Sequence, residues 1–344
     1  MKKAFYRFAA AVVLCGVLFS CKKAEAGDVR NGGIILGFSQ IGAESAWRNC
    51  NTRSVQEAAE QAGIQLVFFN AEQKQENQIK AIRSFIAYQV DVIAFVPIVS
   101  EGWENVLEEA RDAKIPVLIC DREITLEDQS LYAGYLGTDS AEEGRNAARY
   151  LVRKFMDPPP DPPDSSLEDS RGSGEVPSRT GPIRIVELRG TEGSSQAAKR
   201  AGGFKEVIGE YPEFRIIYSE SGDFLRSKGY ELMRAVLDEY EDVDVVYSHN
   251  DSMTLGAIDA MKERGIRPGT DIVIVTIDAE QAAINALKRG EVNCVVECNP
   301  KQGPDIMDLA LRLARGESIP RISYMEEEVF TEWDDLSTLP PRGY

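Results

Sequence analysis

The residues of this chain best suited to chemistry follow apolar runs rather than sitting within them. Gln40 to Arg48 follow the run at 34–39, and this segment includes Trp47 and Arg48. Asp121-Arg122 follow 116–120, His249-Asn250-Asp251 come just after 243–247, Asp278 follows 271–277, and Glu297 follows 293–296. Arg200 lies one or two turns into the segment after 183–188. A carboxylate can accept from two neighbouring hydroxyls, a guanidinium donates through a planar fork, and an amide does either. An indole offers an apolar face for the C–H side of a sugar ring. Asp121, Asp278 and Glu297 balance Arg48, Arg122 and Arg200, whereas a phosphate or carboxylate site would carry excess positive charge. The set suits a neutral, polyhydroxylated ligand.

Each residue also has a plainer reading. Asp121-Arg122 could be a surface pair, Asn250 and Asp251 could cap the helix that follows them, and Trp47 could be core. His249 reads as a hydrogen-bonded structural residue rather than a base. Cys294 and Cys298 lie too far apart on a strand to pair and read as small apolar fillers. Cys50 and Cys120 could pair only if their loops meet.

The elements that must position these groups are legible from periodicity. Further runs occur at 64–69, 91–96, 133–136 and 214–218, with amphipathic segments of helical period between them near 46–62, 76–88, 101–113, 139–156, 194–209, 223–240, 251–264, 279–288 and 302–315. Apolar strands alternating with helices indicate parallel sheets covered on both faces. Two series of about five strands predict an α/β fold of two doubly wound lobes, with ligands bound at the carboxyl ends of the strands.

Composition narrows the function. The chain has 344 residues, 39 Lys+Arg against 56 Asp+Glu, a net charge of −17 and one histidine. That balance opposes nucleic-acid binding, and a lone histidine excludes His-rich metal sites. No C-x-x-C pair occurs among the six cysteines, so no metal and no cofactor is expected. Walker, dinucleotide and nucleophile-elbow motifs are missing from the sequence, so no enzyme is expected. Lys2, Lys3 and Arg7 precede an apolar run from Phe8 to Phe19, which reads as a secretory signal over 1–20. Leu18-Phe19-Ser20-Cys21 resembles a bacterial lipobox, predicting lipidation at Cys21, a tether over 21–32 and a membrane-anchored, extracytoplasmic protein. An ordinary signal peptide cut nearby is the alternative. Residues 157–180 hold six prolines and six acidic groups without an apolar face; they read as a disordered insertion.

Over about 34–317 the chain resembles the periplasmic sugar-binding proteins of ABC transporters, the ribose- and galactofuranose-binding type. GFSQIGAESAWR (37–48), the run from Ala71 to Arg122, SGDFLRSKG (221–229), HNDSMTLGAIDAMKERGIRPG (249–269) and TIDA (276–279) carry the likeness, which is strongest to the galactofuranose-binding subgroup. The resemblance implies that Trp47, Arg48, Asp121, Arg122, Arg200, Asn250, Asp278 and Glu297 hold a monosaccharide between two lobes closing on a hinge of several strands. It also implies lobes of 28–138 plus 299–327 and of 139–298 plus 328–344, a monomer, and delivery to an ABC transporter permease with its ATPase. A sugar-sensing lipoprotein feeding a chemoreceptor or sensor kinase would use the same pocket.

Overall fold

The computed structural model describes residues 33–157 and 181–344. The leader over 1–20, Cys21, the tether to 32 and residues 158–180 of the insertion lie outside the described residues.

From Ile35 the chain forms β1 (Ile35–Gln40), α1 (Ala46–Ala62), β2 (Gln65–Asn70), α2 (Gln75–Tyr88), β3 (Val92–Phe95), α3 (Glu104–Asp112), β4 (Val117–Asp121) and β5 (Gly134–Gly137). It continues through α4 (Ser140–Met156), β6 (Ile183–Arg189), α5 (Ser195–Ile208), β7 (Phe214–Ser221), α6 (Arg226–Glu239), β8 (Val245–Ser248), α7 (Asp251–Glu263), β9 (Val273–Asp278), α8 (Gln281–Lys288) and β10 (Cys294–Glu297). The last elements are α9 (Gly303–Ala314), β11 (Ile322–Tyr324) and β12 (Val329–Thr331). One sheet has the order β11-β5-β4-β3-β1-β2 and the other β12-β10-β9-β8-β6-β7. All pairings are parallel except β10 with β12. The fold is therefore two helix-covered parallel sheets, as the alternation of runs predicts. Central strands β3, β4 and β8 are buried throughout, which is why they read as unbroken apolar runs.

Strands β11 and β12 are additions to the predicted set. At three residues each they are too short for a periodic signal, and each sits at a sheet edge. They matter because of where they lead. The chain passes from one sheet to the other between β5 and α4, between β10 and α9, and between β11 and β12.

Helices α4 and α5 cross with almost no space between their backbones. A Cβ on Gly203 would lie 2.0 Å from the Ala141 carbonyl oxygen, and one on Gly144 would lie 2.2 Å from that of Arg200. Glycine is required here by close approach, not by a turn. Helix propensity alone favours Gly203→Ala by about 1 kcal/mol, yet overpacking costs about 1–3 kcal/mol. Urea unfolding of Gly203→Ala should therefore show a net loss of up to about 2 kcal/mol; a gain in stability would mean that the two helices separate freely.

Candidate functional site

Loop ends from both sheets and the first turns of three helices converge on one cleft between the lobes. Ser45 caps α1, its side chain accepting from the Arg48 N–H, and thereby fixes Trp47 and Arg48 in the first turn. Ser194 caps α5, which carries Gln196 and Arg200. Asn250 caps α7, accepting from the Met253 N–H while its amide donates to the Phe224 carbonyl. Three helix N-termini thus add partial positive charge at the cleft. Three residues that line it have left-handed or otherwise positive φ without being glycine: Asp121 (59°), Phe224 (61°) and Asp278 (130°). Such conformations cost of order 1–3 kcal/mol and gather at functional sites. The cleft encloses about 320 Å³ of space outside atoms, its mouth included.

Seven of the eight expected residues line this cleft: Trp47, Arg48, Asp121, Arg122, Arg200, Asn250 and Asp278. Arg48 bridges Glu44 at 3.1 Å and Asp121 at 2.7 Å. Burial would weaken that cation, but the two carboxylates outweigh it and raise the Arg48 pKa. Arg200 bonds Glu143 at 2.6 Å and the His249 carbonyl, and lies 3.7 Å from Asp278. Arg122 has no carboxylate bonded to it among the described residues. It donates to the Ile98 carbonyl at 3.1 Å and stacks 5.3 Å from the Phe224 ring centre. Burial, then the like charge of Arg48, pulls its pKa down to about 10. Burial, with Asp251 and Glu280 behind it, outweighs Arg200 and pushes Asp278 well above the carboxylate range.

Glu297 is the exception. It stands at the end of β10, but its carboxylate accepts from the Glu328 N–H and pairs with Arg342 of the C-terminal tail. The antiparallel arrival of β12 draws it towards the crossover and away from the cleft. Asp251 is likewise turned inward, accepting from Thr276 and the Glu280 N–H.

Glu44, Gln196 and Phe224 were not anticipated as lining residues. Glu44 lies one helical turn before Arg48, a spacing that could have been read. Gln196 carried no sequence signal. Phe224 sits within SGDFLRSKG, but only the fold shows its ring lying on Gly190, where an added Cβ would come 1.9 Å from the ring. That contact explains the glycine of Gly190-Thr191-Glu192-Gly193. Arg48 Nη1, Arg122 Nε and Glu44 Oε2 are buried without a protein partner among the described residues. They are donors and an acceptor available to a ligand.

The lobes touch across this space. The Ser100 N–H donates to the Gly193 carbonyl at 2.9 Å, the Glu123 N–H to Ser195 Oγ at 2.8 Å, and Gln196 to the Asp121 carbonyl at 2.5 Å. Trp47 closes the other side, its backbone N–H donating to Glu280 at 3.0 Å and its indole N–H to the Cys298 carbonyl at 2.5 Å. Cys50, Cys120, Cys294 and Cys298 are all buried free thiols.

A periplasmic binding protein domain profile matches residues 36–318. The chain belongs to the periplasmic binding protein family. It is 40% identical to the galactofuranose-binding protein YtfQ of Escherichia coli K12 over 290 residues, covering 83% of this chain and 84% of that one. Among solved structures it resembles a Mycobacterium smegmatis protein in complex with β-D-fucofuranose, with TM-score 0.80 and 43% identity over 87% of this chain and 92% of that one. It also resembles the binding component of the Shewanella sp. ANA-3 arabinose ABC transporter bound to α- and β-L-arabinofuranose, with TM-score 0.77 and 40% identity over 87% and 92%.

His249 supports Arg200 from behind. Burial lowers its pKa against the pull of Glu187. The Gly190 N–H donates to Nδ1 at 3.3 Å, which assigns the proton to Nε2, 3.3 Å from Glu187. Burial alone would raise the Glu187 pKa, but the bond and charge of His249, the bond from Ser219 and the charge of Lys205 bring it down to about 2. A depressed carboxylate stabilises fully above its ordinary pKa, and the benefit is lost as pH falls towards the folded value. The stability gap between wild type and Glu187→Gln should therefore shrink by about 3 kcal/mol between pH 6 and pH 2. Urea unfolding across that range checks it; a constant gap would remove Glu187 from the acid response.

Proposed function

We propose that this protein captures a monosaccharide in its five-membered-ring form between the two lobes and delivers it to an ABC importer. Chemically, the unpartnered Arg122 Nε, Arg48 Nη1 and Glu44 Oε2 carry this reading, flanked by the aromatic walls Trp47 and Phe224. Donors and acceptors in one buried space match sugar hydroxyls, which both donate and accept. The ring form is supported by the furanose ligands named for relatives 40–43% identical to this chain. Trp47 offers less open ring surface than the sequence suggests, because the Arg48 guanidinium covers it at 4.6 Å. Phe224 supplies the apolar wall from the opposite lobe. The same reading places the protein outside the cytoplasm, held to a membrane through a lipid on Cys21.

Calorimetry with D-galactose, D-fucose and L-arabinose tests the ligand class. 5-Deoxy-D-galactose can close only the five-membered ring and should bind; 4-deoxy-D-galactose cannot close it and should not. The reverse pattern would overturn the furanose reading. Arg122→Ala should lose at least about 100-fold in sugar affinity, the worth of two charge-assisted hydrogen bonds. Unchanged affinity in a cooperatively folding Arg122→Ala would overturn the site.

A further inference from the structure

At the floor of the cleft, which Cys298 itself helps to line, the three passages between the lobes bring together side-chain ligands that the sugar reading does not use. Glu143 stands in the first turn of α4, just past the first passage. Cys298 opens the second, and Glu327 lies within the third. One ligand atom from each lies within 4.8 Å of the others. Glu143 and Cys298 are buried and Glu327 is partly so. Each is oriented by another group: Glu143 Oε2 accepts from Arg200, Cys298 Sγ lies 3.7 Å from Thr138 Oγ1, and Glu327 Oε1 accepts from the Asn299 N–H. The second carboxylate oxygen of Glu143, Oε1, is buried with no partner among the described residues, on a side chain 1% exposed. A buried carboxylate oxygen left open beside a thiol is an acceptor waiting for a cation or a proton.

We propose that Glu143, Cys298 and Glu327 form a hinge site for a divalent metal ion of the zinc class. One thiolate and two carboxylates are ligands that borderline-soft zinc accepts, with a fourth position left for water. Tetrahedral zinc at about 2.0–2.3 Å from each ligand sets them roughly 3.5 Å apart, so the three side chains draw together by at most about 1 Å on loading. Groups that orient the ligands, here Arg200, Thr138 and Asn299, are the usual companions of such sites. Sequence spacing does not reveal it, because 155 positions separate Glu143 from Cys298 and the lone histidine is elsewhere. An ion there would pin all three passages at once. It would also touch the sugar cleft from below, since Glu143 holds Arg200 and the Cys298 carbonyl holds the Trp47 indole.

The test uses cobalt(II) as a spectroscopic stand-in, then zinc. Cobalt added to the purified chain should produce a thiolate-to-metal charge-transfer band that disappears in Cys298→Ser. Zinc affinity by calorimetry should fall at least about 10-fold in Glu327→Gln, with cooperative unfolding showing that both variants fold. No band, or a band that survives in Cys298→Ser, overturns the site. Sugar and zinc should change each other's affinity by one common factor. Failure of sugar to bind, with the cobalt band intact, would count against the furanose reading and leave the metal site standing.

Discussion

Three guanidinium groups are buried at one junction between two lobes, and this constrains everything around them. An unpaired charge in such a place costs several kcal/mol, so each must be answered. Glu44 and Asp121 answer Arg48, and Glu143 with the His249 carbonyl answers Arg200. Among the described residues Arg122 bonds only the Ile98 carbonyl and faces Phe224, with Asp121 and Glu44 acting on it at longer range. The strained φ values at Asp121, Phe224 and Asp278 lie at this same junction, and the surrounding sheets supply the stability that tolerates the strain.

The same constraint shapes closure. The bonds that join the lobes include Ser100 to Gly193, Glu123 to Ser195 and to Lys199, Gln196 to Asp121, and Trp47 to Glu280 and Cys298. Each contributes about 0.5–1.5 kcal/mol net. Against them stands the incompletely paired Arg122. On the proposed reading, a ligand that satisfies Arg122 while touching both lobes binds the closed form better than an open one, and that difference is all a population shift requires.

Most of the scaffold was legible because burial on both faces of a parallel strand leaves an apolar run whatever the neighbours are. Asp121, Arg122, Asn250 and Asp278 could be found by one rule, that the residue after such a run faces the ligand end of the sheet. The rule failed at Glu297 because it assumes that nothing else arrives there. Strand β12 pairs antiparallel with β10 and brings Glu328 and the tail's Arg342 to that carboxylate, and a three-residue strand leaves no periodic trace. Phe224 was hidden for a different reason. An aromatic in a polar loop reads as filler until the fold shows Gly190 beneath its ring.

Losing Glu297 from the cleft does not upset the charge balance on which the choice of ligand rests. Glu44 takes its place: Glu44 and Asp121 bridge Arg48 and Glu143 bonds Arg200, so three acids still meet Arg48, Arg122 and Arg200 without counting Asp278. Arg48 and Arg122 hold the Glu44 pKa below its ordinary value despite burial, so its free Oε2 is an acceptor. A phosphate or carboxylate drawn to Arg122 would meet that oxygen as well, and two anions sharing a desolvated space repel. A hydroxyl faces no such conflict, because it accepts from Arg122 and donates to Glu44. Asp278, its pKa pushed up by burial, can donate as well as accept. On the proposed reading the cleft selects for neutrality through its acids as much as through its arginines, and replacing an acid should relax that selection before it weakens binding of a neutral sugar.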